Sequence, residues 1–77
     1  MYYVYVLQKK SNRELYYGYT SNLERRIAEH NKDKEWDIVY YEAYGAEQDA
    51  RTRELKLKDY GQSRNHLRKR IQNSLNP

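Results

Sequence analysis

Residues 2–19, YYVYVLQKKSNRELYYGY, decide how the rest of the chain is read. Tyr2–Gln8 is β-branched and aromatic, the composition of a strand. Tyr3, Tyr5 and Leu7 alternate with Val4 and Val6, so both faces are apolar and the strand should lie mid-sheet, covered on both sides. Lys9–Arg13 contains Ser11-Asn12 and reads as a turn. Glu14–Tyr19 is a second strand, and the short link makes the pair a hairpin. Within it Tyr16 and Gly18 share a face. A glycine inside a strand marks either a bulge or a close approach of a ligand or backbone.

Beyond the hairpin, Ser21 with Glu24 has the form of a capping box, which predicts a helix from about Asn22 to Asn31. Polar Lys32–Glu35 interrupts the pattern, and Asp37–Tyr44 (DIVYYEAY) predicts a third strand. A second helix is expected over about Ala46–Lys58, ended by Asp59-Tyr60-Gly61. A third should span about Ser63–Asn73, with Leu67 and Ile71 on one face and a frayed tail through Pro77. The order β-β-α-β-α-α predicts an α+β fold: a small three-stranded antiparallel or mixed sheet with flanking helices, as a single domain over residues 1–77.

Bulk properties narrow the function. A chain of 77 residues buries roughly 60% of its unfolded surface, a thin core. It has no Cys, which excludes a disulfide framework, and two His alone do not make a zinc site. The apolar run at residues 1–8 ends at Lys9-Lys10, far short of a membrane span, so a soluble protein is expected, and the missing Cys fits a cytoplasmic one. The net charge of +4 and pI near 9.3 favour an anionic partner, nucleic acid first. Ten Tyr with one Trp and no Phe supply core area, and most of the tyrosines should serve as amphipathic core residues.

Several polar residues fall where apolar ones belong. In the first helix His30 lies in the stripe of Leu23 and Ile27, with Arg26 at its flank. Either they face a cleft, or His30 is a satisfied core histidine and Arg26 snorkels. In the second helix Glu54 shares a side with Ala46, Ala50 and Leu57. A carboxylate there needs a salt bridge or a cation.

These residues fall into an ordered set. Tyr3-Val4-Tyr5 and Tyr16-Tyr17-Gly18 resemble the paired GIY and YIG strands of the GIY-YIG nucleases, with Tyr16 eleven residues after Tyr5. Arg26, eight residues after Gly18, and His30, four further on, resemble the family's helix motif. Asp49–Glu54 through Leu57-Lys58 resembles the helix that carries its metal-binding Glu. The resemblance covers nearly the whole chain and extends to the catalytic domains of excision-repair and homing endonucleases. In three respects the chain departs from it. Tyr3 and Val4 stand for Gly and Ile, Tyr19 stands where some relatives have Lys, and only Asn31–Glu35 fills a segment that is longer in close relatives. A late family Asn has two possible counterparts, Asn65 and Asn73.

The resemblance implies a metal-dependent nuclease acting on nucleic acid, DNA ahead of RNA, with DNA repair as a setting. It implies Mg²⁺ (or Mn²⁺) on Glu54 and a phosphate clamp at Arg26. A Tyr would be the general base, with Tyr16 preferred over Tyr5, and His30 would hydrogen-bond to Tyr5 or help to relay the proton. Gly18, Tyr19, Arg64 and Arg68 are expected to contact nucleic acid, and a separate protein could supply targeting. Two other readings stay open: a non-catalytic nucleic-acid-binding module that keeps the nuclease fold, and a tyrosine-rich protein-interaction domain.

Overall fold

The computed structural model describes residues 1–30, 32 and 34–76. Along the chain run β1 (Tyr2–Lys9), β2 (Leu15–Thr20), α1 (Leu23–His30), β3 (Trp36–Tyr44), α2 (Glu47–Asp59), α3 (Gly61–Arg70) and the short α4 (Gln72–Leu75). The sheet has the order β2-β1-β3, with both pairings antiparallel. The apolar first strand therefore lies in the middle, as its two-sided pattern requires. Val4, Tyr5 and Val6 are 0% exposed. The expected α+β order is present, with the antiparallel alternative realised. No helix among the described residues is long and apolar enough to cross a membrane.

The sheet's two faces do different work. Val4, Val6 and Tyr17 pack with Ala50 and Leu57 of α2, Leu67 of α3, Ile71, and Leu75 of α4. Tyr2, Tyr19, Tyr40 and Tyr44 rest against this cluster, the amphipathic core role expected of most tyrosines. The other face carries Tyr3, Tyr5 and Leu7, and α1 meets it through the ring of His30.

Local details correct two expectations and decide one open alternative. Asn22, not Ser21, caps α1: its Oδ1 accepts the Arg25 N–H at 3.1 Å. Buried Thr20 causes the shift, because its hydroxyl accepts the Asn22 N–H at 3.0 Å and donates to the Asn22 carbonyl at 3.1 Å. That clasp turns the chain one residue later than the Ser21–Glu24 spacing suggests, and Asn caps as well as Ser. The bulge considered for Gly18 lies instead in β3, where Tyr40 faces Val6 and Ile38 faces Leu7, leaving Val39 as the extra residue. The third helix breaks at Ile71 and restarts as α4, so the tail docks through buried Leu75 rather than fraying there. The predicted helix end at Asn31 and the frayed Pro77 lie outside the described residues.

Arg13 holds that tail. It closes the hairpin turn in the left-handed region at φ 62°, with its N–H on the Lys9 carbonyl. Its guanidinium donates to the Leu75 carbonyl at 3.0 Å and to Asn76 Oδ1 at 2.9 Å. Arg13→Ala is expected to lower stability by about 1 kcal/mol. Faster amide exchange at residues 72–76 should accompany it, and unchanged exchange would show that these bonds do not hold the tail.

Beneath α2, Arg53 pairs with Glu42 of β3 at 3.1 Å. The hydroxyls of Tyr40 and Tyr44 donate to the same carboxylate. Burial alone would raise the Glu42 pKa; hydrogen bonds from Arg53, Tyr40 and Tyr44 outweigh it and hold it below the ordinary 4.5. Because the folded value is the lower one, this stabilisation is present above that ordinary value and is lost as pH falls through the folded one. Glu42→Gln should cost about 2 kcal/mol at neutral pH, since the pair is mostly buried. It should also flatten the acid limb of a stability–pH curve. An acid limb unchanged from the parent's would place the titration elsewhere.

Candidate active site

Register puts the candidate residues on one face before any side chain is considered. Tyr5 pairs with Gly18 and Leu7 with Tyr16, so Tyr5, Gly18 and Tyr16 point the same way. The Tyr5 ring lies across the bare backbone of Gly18. A Cβ built there would stand 2.4 Å from the Tyr5 hydroxyl oxygen, 2.5 Å from its ring carbon Cζ and 3.0 Å from Cε1 of Tyr16. Gly18 is thus a point of close approach, and the visitor is a side chain of the same protein.

His30, in the last turn of α1, completes the group. Its ring centre lies 5.0 Å from that of Tyr16 and 6.2 Å from that of Tyr5, and the two tyrosine rings are 6.2 Å apart. His30 sits among the tyrosines, half-buried. Tyr16 keeps 38% of its surface exposed, whereas Tyr5 is wholly enclosed.

The Tyr5 hydroxyl is buried and makes no hydrogen bond of good geometry. Arg26 and Tyr16 nevertheless stand close enough to act on its ionisation. Burial, reinforced by Tyr16, pushes its pKa up to about 12, against the pull of Arg26. At neutral pH Tyr5 therefore keeps its proton and remains a donor without an acceptor. Arg26 has a side chain 36% exposed, and its only ion pair among the described residues is to Glu29 at 3.5 Å. That partner sits on its own helix, so the guanidinium stays available at little cost.

Glu54 lies on α2, which covers the opposite sheet face through Ala50 and Leu57. Its ion pair is with Lys58 at 3.3 Å, and its side chain is 19% exposed. Among the described residues no hydrogen bond or ion pair joins it to Tyr5, Tyr16, Arg26 or His30. Its direction is informative. Glu47, two turns earlier on the same flank, accepts the Tyr19 hydroxyl of β2 at 2.6 Å, while Arg53 on the other flank reaches β3. Glu54 thus leans toward β2, the edge strand that carries Tyr16 and Gly18.

The four expected contact residues separate. Gly18 lies under Tyr5. Tyr19 faces α2, bonded to Glu47, with the Arg51 guanidinium 4.8 Å over its ring. Arg64 closes the end of α2, donating to the carbonyls of Leu57 at 2.9 Å and Lys58 at 2.8 Å. Arg68 is exposed on α3, whose Leu67 packs on the Val4 face. Only Gly18 belongs with the Tyr5 group. One member went unnoticed as a site residue: Trp36, whose ring lies 6.4 Å from that of Tyr16. Being the sole Trp in a tyrosine-rich chain was its signal.

A family model described as the GIY-YIG catalytic domain matches residues 1–69. The chain belongs to the GIY-YIG family. The match spans β1 through nearly all of α3, so it includes each of the residues just placed. The chain is also 37% identical over 67 residues to a UPF0213 protein of Staphylococcus haemolyticus (strain JCSC1435), an alignment covering 75% of this chain and 80% of the relative. No solved structure matches it significantly. Membership in a family whose members are generally nucleases points to nucleic acid as the substrate class.

Proposed function

We propose that this GIY-YIG domain hydrolyses phosphodiester bonds in nucleic acid, DNA ahead of RNA. The carrying observation is the Tyr5–Tyr16–His30 group, with an exposed phenol, an enclosed donor lacking an acceptor, and Arg26 beside them. Such a set matches an incoming phosphate better than it matches packing alone.

Arg26 would leave Glu29 and grip two phosphate oxygens, a geometry its planar fork provides. Tyr5, still protonated, would donate to the same phosphate and so satisfy its hydroxyl. A water attacks phosphorus in line with the bond to the 3′ oxygen. Tyr16 takes the water's proton while passing its own to His30, and the phosphorus–oxygen bond opposite breaks. The imidazole then returns that proton to solvent or to the leaving oxygen.

The donor set suits a hard ion with few protein ligands. Among the described residues no three of His, Cys, Asp or Glu cluster together, which disfavours zinc and leaves the single carboxylate of Glu54. Glu54 would hold Mg²⁺ or Mn²⁺ once Lys58 swings aside, and the ion would supply positive charge to the phosphate and leaving oxygen. The Glu54 flank toward β2 supports this role.

The test uses labelled single-stranded, duplex and branched DNA and RNA with Mg²⁺ or Mn²⁺, beside Arg26→Ala and a salt series of binding. Cleavage that needs the metal and fails in Arg26→Ala is expected. Tight salt-dependent binding with no turnover on any substrate would instead make the domain a binding module.

A further inference from the structure

The aromatic group continues past Tyr16. Trp36 opens β3 opposite Lys9, at one end of the sheet. Its ring meets that of Tyr16 edge-on, at 71° between planes. The Lys9 ammonium lies 6.0 Å from the centre of the Trp36 ring, and exposed Lys10 follows, 3.7 Å from Asp37. Trp36 is half-buried and lies outside the hydrophobic cluster on the Val4 face. An indole whose only task was packing would be expected within that cluster. Here it borders a partly exposed phenol and the Lys9 ammonium.

An aromatic ring with a cation beside it suits an unpaired nucleotide. Each stacked base contributes about 1–3 kcal/mol, and a lysine offers its phosphate a point charge. A base inside a duplex is already stacked between neighbours and would have to leave the helix to reach the ring.

We propose that Trp36 and Lys9 form a subsite for one unstacked nucleotide next to the phosphate held by Arg26. The substrate then carries an unpaired base at that position, as in a single strand, a frayed end or a flap. This rests on the nuclease reading above and adds to it a preference that the family match does not assign.

Because Trp36 is the only tryptophan, its fluorescence reports stacking without turnover. The full chain, with no divalent metal added, is titrated with a short single-stranded oligodeoxynucleotide, the RNA of the same sequence, and the perfect DNA duplex. Quenching by single strands and little by the duplex is expected, with the stronger of DNA and RNA identifying the sugar. Trp36→Leu should weaken single-strand binding, read by fluorescence anisotropy of a labelled strand, by about tenfold, whereas Trp36→Phe should keep most of it. If Trp36→Leu fails to fold, quenching in the parent chain decides. Single strands that are bound and cleaved without quenching Trp36 overturn the subsite and leave the nuclease reading intact. Neither binding nor cleavage on any substrate overturns both.

Discussion

Glu54→Ala is expected to lower metal-dependent cleavage by at least about a thousandfold, because a bound ion contributes several kcal/mol to stabilising the charge that develops on phosphate. The fold should survive. The one ion pair lost is the helical contact to Lys58 at 3.3 Å, with Lys58 47% exposed. Pairs of this kind contribute about 0.3–0.5 kcal/mol, so thermal stability should hardly move. Glu54→Gln should behave alike, since it keeps the shape and loses the charge. The decisive measurement is single-turnover cleavage across a Mg²⁺ or Mn²⁺ titration, next to a melting curve. Full activity in Glu54→Ala would sink the metal assignment, and a collapsed melting curve would show that Glu54 is structural.

Gly18→Ala should do the reverse, damaging the fold first. Its methyl would stand 2.4 Å from the Tyr5 hydroxyl oxygen and 2.5 Å from Cζ. Tyr5 is 0% exposed and cannot retreat, because β1 is the central strand. Forcing an extra carbon into such packing costs about 3 kcal/mol, which in a domain of this size lowers the melting temperature by roughly 15 °C. Adding Tyr5→Phe should restore little, because the ring carbon remains in the way. A truncation such as Tyr5→Leu in the Gly18→Ala background should restore more of the melting temperature while leaving cleavage low. A Gly18→Ala protein that melts like the parent would mean that β2 shifts easily, and the packing account would fail.

The same contact shows how far residue spacing can reach. Alternation in residues 2–19 places Tyr5, Tyr16 and Gly18 on a common face, and the unusual strand glycine marks a close approach. What approaches is invisible in spacing, because it depends on which residue of β1 stands opposite Gly18. His30 and Arg26 were legible as polar groups on an apolar stripe, since helical periodicity acts within one element. Glu54 was legible in the same way, but the sheet face that its helix covers was not. That follows from α1 and α2 covering opposite faces of the sheet, which no periodicity within a single helix encodes. Arg64 and Tyr19 show the opposite outcome. Each looks free for nucleic acid in the sequence, and each is engaged by a neighbour brought close by folding, the end of α2 for one and Glu47 for the other.

By itself, then, the sequence determined the elements, the central place of β1, the α+β order and the resemblance to GIY-YIG nucleases, because local periodicity and motif spacing act over short stretches of chain. Only the tertiary structure decided that Tyr5 is an enclosed donor, that Trp36 joins Tyr16, that Asn22 rather than Ser21 caps α1, and that the tail is tied to Arg13. The cap turns on the buried hydroxyl of Thr20, two residues away; the others depend on groups distant in sequence meeting at van der Waals or hydrogen-bond range, and such meetings are set by strand register and by which face a helix covers.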